Sequence, residues 1–431
     1  MGKNSKSPVK KSLTVPELKT KADALRRKAT SLEQEAIRLQ FPLECRKAAK
    51  EISKRDGNVA VFLGAGASKT FGWPLTSQLL PLILDGLIDE DLFEDVRIND
   101  DEQNAADRRR LEKALQALCP GIQFTKAFLE SNSRQLPLVT SLLSILDYSL
   151  SSGQVVLSGF SSDEIKDARE LLERAIYESI EHVEVEVSPN NWPARTPNEY
   201  TRRLARWLDT IRPKKSNVGV ITSNYDAAIE QVWGFDRDDP QRIEGLSLDF
   251  GFDWIWPSNS FERTMKRPAV PNRRLYKLHG STNWLRCGLC DRTYINPEVD
   301  IAVYAYERRN KLSNSCHCGH ARLEVQIVSP SFVREMRAPN LITVWQQALD
   351  WLRQASDWII IGYSFPDEDL NIRSLFTRAL ASGKKPPPHV TAIQLGGEQQ
   401  IRTRYEVFFP QGRLTFLEGG LDMFLDNVPK H

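Results

Sequence analysis

What most constrains the fold of this chain is a set of short, unbroken apolar runs, each stopping at glycine, small polar or charged residues. Val59-Ala60-Val61-Phe62-Leu63 ends on Gly64, and similar runs recur at Val218–Ile221, Leu275–Leu278, Val325–Val328, Trp358–Ile361, Val390–Leu395 and Leu414–Leu417. Such runs lack the apolar–polar alternation of a strand with one wet face, so they read as strands buried on both sides. Helical stretches such as Leu341–Ala355 lie between several of them. The expected fold is therefore α/β, a doubly wound, parallel, Rossmann-like sheet covered by helices.

Two stretches break the alternation. From about Ile88 to Pro213 the residues are helix formers, with clear periodicity at Arg108–Leu118, Asp163–Glu181 and Glu199–Thr210, and this predicts a large helical insertion between the first and second core strands. Leu285–Leu323 holds two cysteine pairs among turn residues and is too short for a core of its own. The expected organisation is a basic helical segment at 1–57, core at 58–87, helical insertion at 88–215, core again at 216–284, a small zinc-ribbon-like module at 285–324, and core at 325–431. Within the first segment, Leu18, Ala22, Leu25, Leu32 and Ile37 are spaced as on a helix, and Pro42 interrupts the pattern, predicting two helices.

Charge and composition narrow the function classes. At 431 residues, 41% hydrophobic and 26% charged, the chain has the make-up of an ordinary water-soluble protein with enough mass for a deep cleft. No apolar run approaches the roughly 20 residues that span a bilayer, and Met1–Thr14 is basic and polar, so the expected location is cytoplasmic with no membrane partner. The net charge of +2 hides a basic start, with 15 Lys/Arg against 7 Asp/Glu over residues 1–60. That surplus reads as a solvated helical face, and direct nucleic-acid binding is not expected. Cys287/Cys290 and Cys316/Cys318 form two tight pairs, while Cys45 and Cys119 stand alone. Without a secretion signal, such pairs point to a metal cluster in a reducing compartment rather than to disulfides.

Four motifs carry chemistry, and each stands just past an apolar run, where doubly wound sheets bind ligands. Gly64-Ala65-Gly66-Ala67-Ser68 follows the first strand; glycines let backbone approach a pyrophosphate, although Lys69 stands where a full dinucleotide fingerprint has its third glycine. Thr222-Ser223-Asn224-Tyr225-Asp226 offers an amide and a carboxylate suited to sugar hydroxyls or a carboxamide, or equally to capping a helix. Leu278-His279-Gly280-Ser281 places an imidazole, able to act as a base near neutral pH, beside a glycine that leaves room for a ligand. Gly362-Tyr363-Ser364 and Gly396-Gly397 are suited to closing a nucleotide cleft.

These motifs, in this order and with an embedded cysteine module, resemble the sirtuin superfamily over about Asn58–Gly86 and Asn217–Leu421. The resemblance implies NAD as the ligand and substrate. It sets Gly64, Ala65, Gly66, Ala67 and Ser68 around the phosphates, Asn224 on the nicotinamide ribose and a water, Asp226 on the carboxamide, His279 as base, and Gly362, Ser364 and Gly396 about the adenosine half. It also implies a structural Zn²⁺ on Cys287, Cys290, Cys316 and Cys318; the second pair is one residue tighter than usual, which leaves His317 or His320 as a substitute ligand.

One departure bears on the reaction. Protein deacylases of the superfamily follow Gly-x-Pro with Asp-Phe-Arg, whereas Gly72-Trp73-Pro74 is followed here by Leu75-Thr76-Ser77. That loss, together with Gly362-Tyr363-Ser364-Phe365-Pro366-Asp367, resembles the sirtuin-like NAD⁺ hydrolases of bacterial antiphage defence. The expectation is an NAD⁺ glycohydrolase (NADase) releasing nicotinamide and ADP-ribose, held in check as a homo-oligomer or by a regulatory partner such as a phage trigger, an ATPase or a nucleic-acid-sensing subunit. The alternatives are a deacylase or ADP-ribosyltransferase using the same bond cleavage, and a non-catalytic NAD or ADP-ribose sensor.

Overall fold

The computed structural model describes residues 40–93, 101–153, 157–181, 198–212, 214, 217–235, 248–256, 263–269, 271, 273–296, 316–319, 323–328, 338–367, 369–381, 386–396 and 399–428. The first of the two expected amino-terminal helices lies outside them. The second, α1, runs over 40–54 and passes through Pro42, so within the described residues the proline does not break it.

The apolar runs become strands β1 (Asn58–Leu63), β2 (Val218–Thr222), β6 (Arg273–Lys277), β10 (Ala355–Ile361), β11 (His389–Gln394) and β12 (Leu414–Glu418). With the two-residue edge strand β3 (Leu248–Asp249) they form one sheet in the order β12-β11-β10-β1-β2-β6-β3, parallel throughout. β1, β2 and β10 are almost wholly buried, which is why their sequences show no alternation. The chain lays β1, β2 and β6 outward on one side, then returns to build β10, β11 and β12 on the other. The order therefore reverses between β1 and β10, the position at which open parallel sheets place their ligands.

The run Val325–Val328, expected among the parallel strands, lies elsewhere. It forms β9 (Leu323–Ile327) in a second, five-stranded sheet with β4 (Trp254–Trp256), β5 (Arg263–Met265), β7 (Gly280–Cys287) and β8 (Thr293–Ile295), in the order β5-β4-β8-β7-β9. β9 runs antiparallel to β7, and two of its five residues, Leu323 and Gln326, are buried, so the unbroken burial of β1 and β2 is missing.

Between β1 and β2 the described residues hold helices only. Two of them, α2 (Ala65–Thr70) and α3 (Thr76–Ile88), follow β1 directly, and Asp101–Leu118, Lys126–Asn132, Val139–Ser152, Ser162–Glu181 and Glu199–Thr210 come next. The helix Ser162–Glu181 buries Ile165, Leu172, Ala175, Ile176 and Ile180 at spacings of three, four and seven, and packs on α3 and on Val139–Ser152. Leu111, Leu143 and Ile176 belong to the same continuous apolar cluster as the strands, so the helical insertion shares the core of the sheet.

The amino edge of the sheet is fastened by ions. Asp357 at the start of β10 accepts from Arg55 Nε at 2.5 Å and from Arg212 Nη2 at 2.8 Å, while Arg212 Nε donates to Gly57 O at 2.9 Å. This ties helix 40–54 and the end of the helical insertion to one buried carboxylate. No helix among the described residues is long and apolar enough to cross a membrane.

Candidate functional site

The turn after β1 leads at once into α2, a six-residue helix that the sequence reading did not resolve. Gly64 N donates to Ile361 O at 2.9 Å and Gly66 N to Gly362 O at 2.8 Å, so the two loops at the strand-order reversal are laced together. Gly362 has φ +63°, and a methyl there would lie 2.2 Å from Ala67 N; one on Gly66 would lie 2.8 Å from Gly362 Cα. Contact between the loops therefore demands these glycines whether or not a ligand does. Ala65 is exposed and Gly66 half-buried, while Gly64, Ala67 and Ser68 are buried.

The loop after β2 rests on that turn. Thr222 Oγ1 donates to Leu63 O at 3.1 Å and accepts from Asn224 N at 3.0 Å. The Asn224 side-chain amide donates to Gly64 O at 2.9 Å. A carbonyl oxygen can only accept, so the nitrogen end of Asn224 faces Gly64 and its Oδ1 is left as an acceptor. Asp226 is buried; one carboxylate oxygen accepts from the Ser68 hydroxyl at 2.5 Å and the other from Ala228 N at 3.2 Å, an Asx-type turn just ahead of the helical turn Ala228–Glu230. Ser68 thus meets Asp226 rather than open space.

β6 brings the third loop alongside. Leu278 N donates to Thr222 O at 2.9 Å, and His279 Nδ1 lies 3.1 Å from Ser223 O. The same logic assigns the tautomer: Nδ1 carries the hydrogen, and in the neutral ring the lone pair is on Nε2. The ring sits between Tyr225 and Trp345, with centroid separations of 6.2 and 6.0 Å, and Trp345 Nε1 holds Leu278 O at 2.8 Å. Gly280, at φ +77°, passes so close to Gln326 O that a methyl would stand 1.9 Å from it, which starts β7 on its way out of the large sheet.

Beyond the reversal, Ser364 is exposed after β10 and Gly396 after β11, next to each other in strand order. The Ser364 carbonyl accepts from Arg404 Nη1 at 3.2 Å, and the Tyr363 carbonyl from the Tyr405 hydroxyl at 2.6 Å. Phe365 takes the left-handed φ of +55°, rare for a bulky residue, and its buried ring is gripped by Phe376, Tyr405, Phe408 and Phe409 at centroid distances of 4.4–5.7 Å. Gly397 lies outside the described residues.

Sequence-distant cysteines converge in the small sheet. The Sγ atoms of Cys287, Cys290, Cys316 and Cys318 all lie within 4.8 Å of one another, with Cys290–Cys316 at 3.4 Å and Cys287–Cys318 at 3.6 Å. Four sulfurs at the roughly 2.3 Å Zn–S distance stand about 3.8 Å apart on a tetrahedron, so the set fits Zn²⁺ with no position open for water. Burial pushes the Cys290 thiol up, with its neighbouring thiols, to about 12. Burial acts the same way on Cys316, but the Cys318 backbone N–H and the Tyr294 hydroxyl outweigh it and bring that thiol down to about 6. His317 stands outside the sulfur cluster, its Nδ1 3.2 Å from the Tyr294 hydroxyl, and His320 is outside the described residues. The apolar cluster around the sulfurs is small (Ile255, Leu285, Cys287, Tyr294, Cys316, Leu323), so a metal would supply cohesion that packing there does not.

The SIR2-like domain family matches residues 218–408, which contain Asn224, Asp226, His279, all four clustered cysteines, Gly362, Ser364 and Gly396. Over those residues the chain carries a SIR2-like domain. Its glycine turn, Gly64–Ser68, precedes the matched residues and reaches them because β1 lies between β10 and β2. Solved Sir2 structures align over most of the length at low identity. One concerns the mechanism and regulation of Sir2 enzymes (14% identical, 89% of this chain and 96% of that one, TM-score 0.39). Another holds Sir2 with a p53 peptide and NAD⁺ (13%, 87% and 93%, 0.38), and a third is Sir2Tm bound to a propionylated peptide (13%, 88% and 94%, 0.39). No curated protein matches the chain.

In this SIR2-like chain the sequence reading missed the groups that hold the loops. Trp345 comes from a helix far along the chain, and nothing in its own sequence neighbourhood marks it. Lys277 carried a signal: it is a charge inside an otherwise apolar run, two residues before His279. Its Nζ, fully buried, meets Asp226 O at 2.5 Å and Glu230 Oε1 at 2.7 Å.

Proposed function

We propose that this chain cleaves the nicotinamide–ribose bond of NAD⁺ and passes the ribosyl carbon to water. The observation that carries the proposal is the meeting of four chain-distant loops at one sheet edge: Asn224 on Gly64 O, His279 on Ser223 O, and Gly66 on Gly362 O. In this reading Ala65 and Gly66 face the diphosphate, Asn224 Oδ1 accepts from a ribose hydroxyl or the attacking water, and Ser364 and Gly396 border the adenosine half. Asp226 meets the carboxamide by exchanging its bond to Ser68. The C1′–N bond breaks with its electron pair leaving on nicotinamide, which departs neutral. The water oxygen then bonds to C1′, and its proton passes to His279 Nε2 and on to solvent, leaving ADP-ribose. No metal takes part; Zn²⁺ on the four cysteines would hold the small sheet.

Water is preferred over acyl-lysine because the segment joining α2 to α3 is short and tucked in. Phe71 and Trp73 are buried, Trp73 N bonds Ser68 O at 2.9 Å, and α3 starts at Thr76, so no acid, aromatic and arginine triplet overhangs the site. The cysteine module favours the second reading, transfer from an acyl-lysine peptide, since it resembles that of the deacylases. An enzyme that destroys NAD⁺ harms its own cell if always active, so control by self-assembly or a partner, in a cytoplasmic defence role against phage, belongs to the proposal.

Purified protein incubated with NAD⁺ and no peptide should release nicotinamide and ADP-ribose. Asn224→Ala and His279→Ala should each lower turnover roughly 100-fold or more with the fold intact. Turnover that appears only when an acylated peptide is added would replace hydrolysis with deacylation, and full activity in His279→Ala would remove the base.

A further inference from the structure

We propose that Lys277 is a positioning residue: its buried ammonium pins the backbone carbonyl of Asp226 and thereby sets the shape of the loop that carries Asn224. This deepens the reading above and rests on it. Among the described side chains that reach this loop, Lys277 brings a positive charge. Ser223 O faces His279 Nδ1 at 3.1 Å, and Tyr225 O takes the Ser281 hydroxyl at 3.0 Å and the Thr282 hydroxyl at 3.2 Å. Asp226 O takes Lys277 Nζ at 2.5 Å, and the same ammonium meets Glu230 Oε1 at 2.7 Å with both side chains essentially out of water.

A buried ion pair is a poor device for stability, because desolvating two charges offsets most of their attraction and an apolar pair of similar volume does as well. Its advantage here is geometric. A charged donor on a carbonyl is short and strong, so it fixes one backbone atom where an apolar side chain would fix none. Asp226 Oδ1 accepts from Ala228 N and Oδ2 holds Ser68, so displacement of the Asp226 backbone would carry both carboxylate contacts and, two residues back, the Asn224 amide. Lys277 ends β6 and His279 follows in the turn two residues later, so one strand end delivers the pin and the imidazole together. Glu230, on the helical turn that follows Asp226, balances the charge and receives a long contact from Asn283 Nδ2 at 3.4 Å.

The test separates shape from stability. Lys277→Met leaves Glu230 buried without its cation and should destabilise the protein. The pair Lys277→Met with Glu230→Leu removes both charges and should melt close to wild type. If Lys277 positions the loop, that double variant still loses at least 100-fold in kcat for NAD⁺ cleavage while KM changes less than about threefold, and deuterium uptake of the peptide spanning residues 222–230 rises at least fivefold. Recovery of kcat to within threefold of wild type in the melt-restored double variant, or unchanged uptake in that peptide, would overturn the proposal. A wild-type protein that leaves NAD⁺ intact refutes the hydrolase reading instead, and the exchange measurement still decides whether the pin exists.

Discussion

Gly362→Ala probes the contact between the loops that follow β1 and β10. The residue has φ +63°, and the added methyl would sit 2.2 Å from Ala67 N and 2.5 Å from the Gly66 carbonyl carbon, both backbone atoms that cannot swing aside. Holding alanine in the left-handed region costs about 1–2 kcal/mol. Forcing backbone apart in a packed site costs roughly another 1–3 kcal/mol. The sum, about 2–5 kcal/mol, should lower the melting midpoint by roughly 2–6 °C in a chain of this size. Two internal controls isolate the second part, because Gly153 (φ +67°) and Gly412 (φ +77°) have the same backbone sign and nothing within 4 Å of the added methyl. Their alanine variants should show the conformational cost alone. Differential scanning fluorimetry of the three variants, with and without NAD⁺, reads the difference, and Gly362→Ala should also lose at least tenfold in NAD⁺ turnover while the controls keep it. Were Gly362→Ala no more destabilising than Gly153→Ala, the loops would not be in the contact described, and the site built on them would fall.

Two further outcomes are expected. Purified protein should carry about one zinc per chain by elemental analysis, and a strong chelator or Cys316→Ser should make residues 280–328 sensitive to protease while the large sheet keeps its circular dichroism; a metal-free, protease-resistant wild type would refute the site. His389, at the start of β11, is held below its ordinary value of 6.5 by burial, with the charges of Arg55 and Arg413 adding to it. A depressed folded value means that the unfolded chain takes up the proton first, so the stability His389 contributes is present above pH 6.5 and is lost as pH falls through the lower folded value. Chemical denaturation from pH 7.5 to 5 should therefore show an acid-side loss that His389→Asn reduces, and an identical pH profile in the variant would contradict it.

Much of this protein is legible in its sequence because local features encode it. Unbroken apolar runs mark strands buried on both faces, glycines mark where each must turn, and the Cys-x2-Cys and Cys-x-Cys spacings mark a metal-like cluster before any coordinates are known. The placing of Asn224, His279 and the glycine turn at one edge follows from the same features, since parallel strands deliver all their following loops to one side. What the sequence leaves open is which distant partners meet. Val325–Val328 carries a core-strand composition yet pairs with β7 in the second sheet, because pairing is decided by which strand edge is free. The glycines of the first turn read as a phosphate cradle, and only the structure shows that Gly362 already requires them. Ser68 with Asp226, 158 residues apart, and Lys277 with Glu230 and Asp226 O are unions of chain-distant groups. Burial makes them obligatory, since a polar group taken from water must find a partner, and the identity of that partner is settled only when the sheet closes.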